Sequence, residues 1–153
     1  MQYFDREMAE RVWKRVQGEK KLPPPQQPPT PLKALIYTAA ENSAVYQALS
    51  RQLRGRDAAT LRRFHQETEK AIACMAGISR VLGQQVKLPR IPVPKEHHRR
   101  ALEKAYLREK QLLDGFNARA SDPEHGMVFG KLAGQANDRC VSLAERLGRE
   151  DRD

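Results

Sequence analysis

Acidic and basic residues interrupt the apolar stripes of three long periodic segments of this chain. Glu67 follows Phe64 on the first of these stripes, Glu109 lies on the second, and Arg139 lies on the third. Carboxylates on neighbouring helices can ligate metal ions, or they can hold a cation, and a buried acid is tolerated only when it is paired. These residues could therefore form either a metal-binding site or a buried ion-pair network.

Other catalytic chemistry has no sequence support. The chain contains no G-x-G-x-x-G, no P-loop, no H-E-x-x-H and no G-x-S-x-G motif. His65 and Glu69 are four residues apart, which favours an exposed pair on one helix face over a metal site. His97 and His98 lack partners at metal-ligand spacing, and His125, in the first turn of the fourth predicted helix, is expected to face solvent.

Composition indicates one ordinary domain, or a smaller domain with tails, in 153 residues. No run of 18 apolar residues occurs, so we expect no membrane span, and the charged N-terminus lacks a secretory h-region, which predicts a cytoplasmic protein.

Cys74 and Cys140 are too few and too far apart for a disulfide framework or a CxxC site. Both fall on or beside a core stripe and are predicted to be buried fillers.

The net charge of +9 permits an acidic or nucleic-acid partner without requiring one. Basic residues are spread along the chain, often within a helical turn of an acid, and the densest cluster lies between Arg51 and Arg63. Base-stacking aromatics are not interleaved with these charges, so nucleic acid is not the expected partner.

Apolar residues recur at alternating steps of four and three along four segments, and no segment alternates with period two. This pattern predicts an all-α fold with helices over residues 31–53, 57–82, 95–120 and 123–147. Thr30-Pro31 and Asp122-Pro123 are predicted to start the first and fourth helices, and Gly83 and Gly148 to end the second and fourth.

A short segment before these helices is predicted to form an amphipathic helix of its own. Its apolar residues are Phe4, Met8, Val12, Trp13 and Val16. Such a helix is marginal alone in water, so we expect it to dock on its own bundle, on a second copy in a homodimer, or on another protein. The predicted organisation is an N-terminal helix (1–19), a proline-rich linker (20–31), a four-helix bundle (32–148) and a charged tail (149–153).

Connection lengths predict how the helices are arranged. Short connections near Gly55 and near Ser121-Asp122 make each successive pair an antiparallel hairpin. The segment GQQVKLPRIPVP, at residues 83–94, would span about 37 Å when extended at roughly 3.1 Å per residue. A helix of about 25 residues has nearly this length, so the segment can cross the bundle from end to end.

With this crossover, residues 31–148 resemble the rubrerythrin-type branch of the ferritin-like superfamily. The resembling segments are ALIYTAAENSAVYQALSRQL, LRRFHQETEKAIACMAGISRVLG, LEKAYLREKQLLDGFNARA and FGKLAGQANDRCVSLAERL. The resemblance implies a four-helix bundle in which two helices each supply a Glu ligand and the other two each supply Glu-x-x-His, around two iron ions.

Carried over position by position, most of the implied ligands are missing. The positions of this chain that match the ligand positions are Ala39, Glu67, Lys70, Glu109, Ala136 and Arg139. Only Glu67 and Glu109 keep a carboxylate, and a cation at Lys70 or Arg139 would repel a metal ion. Glu41 is two residues from the first-helix position, about 200° around the helix, and should point away.

The charges that replace the ligands suggest a different use of the site. Glu67, Lys70, Glu109 and Arg139 are predicted to form a neutral, buried ion-pair network with Arg139 as the hub, because a guanidinium can bind a carboxylate bidentately. No metal and no cofactor are then expected. The chain would be a non-catalytic structural or interaction module.

Two alternatives stay open at this point. A divergent metalloenzyme could hold iron or manganese with Glu67 and Glu109, aided by His65 or Glu41, and could reduce peroxide or oxidise iron. A basic bundle could instead bind nucleic acid through the cluster between Arg51 and Arg63.

Overall fold

The structure is a computed structural model that describes residues 29–152, with side chains described through residue 149. This part of the chain forms four helices and no strand, as the periodicity predicts. We label them α1 (Leu32–Gln52), α2 (Gly55–Val81), α3 (His98–Arg119) and α4 (Gly126–Arg152). The predicted N-terminal helix with Phe4, Met8, Val12, Trp13 and Val16 lies outside the described residues.

Glycine ends α2 as predicted. Gly83 has a φ of +78°, a conformation that favours a residue without a Cβ atom. Its N–H donates to the carbonyl of Arg80 at 3.0 Å, and the N–H of Gln84 donates to the carbonyl of Ser79 at 2.8 Å. This pair of hydrogen bonds is the Schellman arrangement, which satisfies the last carbonyls of the helix.

Two predicted helix ends are wrong. The chain makes a turn after Asp122, and α4 begins at Gly126. Asp122 Oδ1 accepts hydrogen bonds from the N–H groups of Glu124 and His125, which hold the pKa of this carboxyl below its usual range. At the other end, α4 continues through Gly148 to Arg152, because a glycine inside a helix costs only about 1 kcal/mol when its φ stays helical.

The start of α1 also differs from the prediction, because the helix begins one residue later than Pro31. Pro31 is the residue that precedes the helix, and its carbonyl accepts from the N–H groups of Ala34 and Leu35. Thr30 therefore does not act as the cap that the sequence predicts. Its carbonyl instead accepts a hydrogen bond from Arg119 Nη2 at 2.8 Å, which links the start of α1 to the end of α3.

Two apolar clusters show the directions of the helices. The proximal cluster joins the first half of α1 and of α4 to the second half of α2 and of α3; it includes Ile36, Met75, Phe116 and Phe129. The distal cluster joins the opposite halves; it includes Tyr46, Phe64, Leu102 and Leu143. Helices α1 and α4 thus run in one direction, and α2 and α3 run in the other. We call the two ends of the bundle the proximal and distal ends.

Residues 82–97 form the crossover that this arrangement requires, since α2 ends at the proximal end and α3 begins at the distal end. Helix α1 packs against α2 and α3, and α4 packs against α3 and, less extensively, α2. The second part of the crossover, with residues of α1 and Arg108 of α3, encloses a groove of about 450 Å³.

Helices α1 and α3 approach closely at Gly115. A Cβ atom at this position would lie 2.5 Å from Cδ2 of Leu35, a distance that would force the leucine to move. Leu35 is buried, so the missing side chain sets the spacing of the two helices. Among residues 29–152, no helix is both long and apolar enough to cross a bilayer.

Candidate functional site

A buried arginine lies at the centre of the bundle. Arg139 is 1% exposed and belongs to the inward face of α4, between Ala136 and Leu143. Its Nε donates to Oε1 of Glu109 at 2.9 Å, and its Nη1 donates to Oε1 of Glu67 at 3.1 Å. The guanidinium thus bridges carboxylates from α2 and α3.

Glu109 is fully buried, and its Oε1 accepts three hydrogen bonds. Besides Arg139, the phenol of Tyr46 donates to it at 2.7 Å and Nδ2 of Asn42 donates at 3.2 Å. The same amide nitrogen also donates to the carbonyl of Ala105 at 2.9 Å. Helix α1 therefore contributes two neutral donors to a carboxylate that α4 neutralises.

These five side chains form a core polar cluster, which consists of Asn42, Tyr46, Glu67, Glu109 and Arg139. All four helices contribute to it. It lies midway along the bundle, between residues of the proximal cluster and residues of the distal cluster. The cluster therefore links all four helices by hydrogen bonds and ion pairs at the level between the two apolar clusters.

Electrostatics favour the charged form of Arg139 and the neutral form of Tyr46. Burial lowers the pKa of the Arg139 guanidinium, but the charge of Glu109 and the hydrogen bond to it outweigh burial, so this pKa lies above its ordinary value. Burial raises the pKa of the Tyr46 phenol well above its ordinary value, and the charge of Glu109 raises it further. The phenol thus stays protonated and donates to Glu109.

Lys70 does not belong to this cluster, contrary to the sequence prediction. Its side chain is exposed, whereas Thr68 is fully buried at the centre of the inward face of α2. At 100° per residue, Glu67 is one step to the side of Thr68, and Lys70 is about 200° around the helix. Glu67 accordingly lies at the edge of the core, with its side chain 30% exposed.

The way in which Arg139 is bound also differs from expectation. Its two donors go to two different carboxylates, so it does not hold either Glu67 or Glu109 bidentately. Apolar spacing alone predicts Tyr46 to be a plain core aromatic and does not reveal its hydrogen bond to Glu109. The available signal was Asn42, a polar residue on the apolar stripe of α1 one turn before Tyr46.

A two-metal site does not fit these residues. The positions that the resemblance assigns to two further ligands hold Ala39 and Ala136, both buried among apolar side chains. Arg139 directs its donors at both remaining carboxylates. Glu109 Oε2 and Asn42 Oδ1 are buried and accept no hydrogen bond from the described residues, and two such oxygens are too few to hold two metal ions. Among residues 29–149, no three His, Cys, Asp or Glu side chains are grouped for metal binding.

The two residues named as auxiliary ligands have other contacts. Glu41 forms an ion pair with Arg108, with Nη2 and Oε2 3.4 Å apart, at the groove beneath the crossover. His65 Nδ1 lies 2.9 Å from Oγ of Ser43, which itself donates to Glu69 at 2.5 Å. The serine thus lies between histidine and acid, whereas nucleophilic catalysis needs the histidine in that place.

The two cysteines lie in different environments. Cys140 is buried beside Arg139, and burial together with the charge of Glu109 raises the pKa of its thiol to about 11. Cys74 is exposed, so the prediction of a buried filler is wrong for this residue. Its position on α2 is one residue before the buried Met75, on the outer side of the apolar stripe.

Comparison of the chain with family models, with curated proteins and with solved structures finds no match. The chemistry of the site is therefore argued from its own residues. Their arrangement satisfies buried charges, and it offers neither a set of metal ligands nor an activated nucleophile among the described side chains.

Proposed function

We propose that this chain is a ferritin-like bundle of the rubrerythrin type in which ion pairs replace the two-metal centre, and that it serves as a non-catalytic structural or interaction module. Two observations support the architecture: the parallel course of α2 and α3, and the crossover of residues 82–97 that connects them. The resemblance of residues 31–148 to the rubrerythrin type rests on the four segments described above.

The position of Arg139 carries the proposal. Its guanidinium bonds to Glu67 and Glu109, the two carboxylates that the resemblance assigns to metal binding. A metal ion between them would have to displace a cation that makes one hydrogen bond to each. It would also lack the imidazole and further carboxylate ligands that a two-iron centre needs.

Metal content tests this proposal directly. The full chain is purified from cells grown with added iron and manganese, and both metals are measured by plasma mass spectrometry. We expect far less than one ion per chain, and no peroxide consumption beyond that of the buffer. Close to two ions per chain would overturn the proposal and establish the alternative, an iron or manganese oxidoreductase.

Arg139→Ala sharpens the experiment, because it removes the cation while keeping both carboxylates. If Arg139 alone excluded metal, this variant would gain iron or manganese. We expect no gain, since Ala39 and Ala136 still supply no ligand. Lys131→Ala, on the exposed side of the same helix, is the matched control.

We further propose that the module acts in the cytoplasm and pairs through its N-terminal segment, as a homodimer or with another protein. Phe4 and Trp13 are the large apolar residues of that segment. Light scattering after size exclusion should show a dimer for the native chain and a monomer for Phe4→Asp with Trp13→Asp. A native monomer would exclude the homodimer, and pairing unaffected by the substitutions would exclude this segment.

A further inference from the structure

We infer that the distal end of the bundle binds the phosphodiester backbone of duplex nucleic acid. The binding surface, which we call the arginine end, consists of Arg51, Arg54, Arg56, Arg100 and Arg149. This inference rests on the proposed function, since it names a partner for an interaction module.

The fold brings these arginines together from distant parts of the sequence. Arg51 lies in the last turn of α1, and Arg54 and Gly55 form the tight turn that leads to Arg56 at the start of α2. Arg100 lies in the first turn of α3, which begins at the same end. Arg149 lies near the end of α4, two residues beyond Leu147, which packs against the distal cluster.

All five side chains of the arginine end are exposed. A groove of about 180 Å³ between the start of α2 and the end of α4 is lined by Arg56 and Arg149. Two members of the arginine end thus flank this groove, which also contains the ion pair between Asp57 and Arg146.

Two acidic residues near this end pair with arginines outside the arginine end, and Glu96, whose charge also interacts with Arg100, forms an ion pair with Lys104. Asp57 in the groove forms an ion pair with Arg146, and Glu103 pairs with Arg99 at 3.3 Å. These pairs use arginines that do not belong to the arginine end, so they do not cancel its charge.

The proximal end has a mixed charge. It carries basic residues such as Lys33, Arg80 and Lys131, and between them the acidic residues Asp114, Asp122 and Glu124. The distal end differs in presenting five exposed arginines, and these are the groups to which a polyanion would be attracted.

The side chains at the arginine end favour phosphate over a protein or a lipid surface. The guanidinium presents a planar fork of donors that matches phosphate oxygens. The large apolar side chains exposed among the described residues lie on the crossover, at the proximal end or on helix flanks; examples are Tyr37, Leu88, Val93 and Met127. Protein interfaces and membrane insertion both need apolar anchors, and the arginine end offers none.

Binding at this surface should not depend on base sequence. The arginine end contains no aromatic residue for stacking on unpaired bases, so its contacts are with the backbone. From the sequence alone, nucleic acid is only an alternative partner, through the cluster between Arg51 and Arg63, because no stacking aromatics are interleaved with these charges. Arg100 and Arg149 are far from that cluster along the chain. The structure places them at one end.

Fluorescence anisotropy with a labelled DNA duplex of about 20 base pairs tests the inference at about 50 mM salt and above. The test variant carries R51Q, R54Q and R56Q. The control variant carries K33Q, K87Q and K131Q, which are exposed lysines away from the arginine end and remove the same net charge. Circular dichroism establishes that both variants are folded.

We expect the native chain to bind and the test variant to bind at least roughly tenfold more weakly. The slope of log K against log salt should shrink by about 2.7 for three lost phosphate contacts. The control variant should stay within about twofold of the native chain.

Three results would overturn the inference: no binding at low salt, equal weakening of both variants, or binding to phosphatidylserine vesicles in preference to the duplex. Metal analysis of the same preparation separates the two proposals. If the chain contains no metal and does not bind DNA, only this inference is wrong. If it contains two metal ions per chain, the proposed function is wrong, whatever the result with DNA.

Discussion

Arg139 Nε and Glu109 Oε1 lie 2.9 Å apart in a core where neither side chain has more than 1% of its surface exposed. Such a pair is costly to bury, and well-packed apolar residues can often replace both partners without loss of stability. Removing only one partner is different, because the other charge then stays in the core without compensation.

Arg139→Ala should therefore lower the free energy of unfolding by about 3–5 kcal/mol. Urea denaturation followed by circular dichroism measures this change. Lys131→Ala is the control on the exposed face of α4 and should change stability by less than about 0.5 kcal/mol. Equal stability of the native chain and Arg139→Ala would contradict a buried structural role for the ion pair.

Tyr46→Phe should lower the free energy of unfolding by about 1–3 kcal/mol at neutral pH, because a buried hydrogen bond to a charged carboxylate is lost. The substitution should also change how the free energy of unfolding depends on pH in the alkaline range. The unfolded chain loses a phenol proton near pH 10, whereas the raised pKa keeps native Tyr46 protonated, so native stability falls as the pH rises above about 10.

Equilibrium unfolding between neutral pH and about pH 11 checks both effects of this substitution. The decline above pH 10 should be shallower in Tyr46→Phe. Tyr37→Phe, at an exposed position on the same helix, is the control and should leave the neutral-pH stability unchanged. Identical behaviour of the two variants would show that Tyr46 acts only as an apolar side chain.

The two thiols should react at very different rates. At pH 8, exposed Cys74 should react readily with Ellman's reagent, while Cys140, with its pKa near 11, should react at least roughly a hundredfold more slowly. The folded Cys74→Ser variant should therefore show almost no fast reaction with Ellman's reagent. The folded Cys140→Ser variant should still show the fast reaction of Cys74. Addition of guanidinium chloride should expose both thiols. A fast reaction in native Cys74→Ser would mean that the centre of the bundle opens readily.

Gly115→Ala should destabilise the bundle by about 1–3 kcal/mol, because the new methyl group would press on Leu35 in the core. Gly134→Ala is the matched control within α4, where an added Cβ meets nothing within 4 Å. This control should be neutral or stabilising by up to about 1 kcal/mol, as expected for alanine in place of glycine in a helix. Thermal unfolding of both variants measures the difference, and a stabilised Gly115→Ala would show that α1 and α3 can separate without cost.

Sequence patterns predict the helices well because each has a long apolar stripe and clear connections. The errors arise where local signals compete: Asp122 caps a turn before α4 rather than the helix itself, and Gly148 has no left-handed conformation to end α4. Both positions hold residue types that are common at helix ends, and the backbone conformation decides their role.

The candidate site is only partly readable in the sequence. Glu109 and Arg139 lie on inward stripes, so their burial follows from periodicity. The prediction for Lys70 is wrong because it takes Glu67 as the centre of the inward face of α2; the centre is Thr68, so Glu67 lies at the edge and Lys70 lies about 200° away, on the exposed side. The bonds of Asn42 and Tyr46 to Glu109 depend on the register between α1 and α3, which helix packing sets and no local pattern encodes.

The start of α1 and the arginine end lie at opposite ends of the bundle. The described chain begins at the proximal end, where the carbonyl of Thr30 accepts a hydrogen bond from Arg119. The arginine end is at the distal end, about 30 Å away along α1, a helix of 21 residues. If both proposals hold, the four-helix bundle would keep a nucleic acid bound at its distal end about 30 Å from the point where the proline-rich linker joins α1.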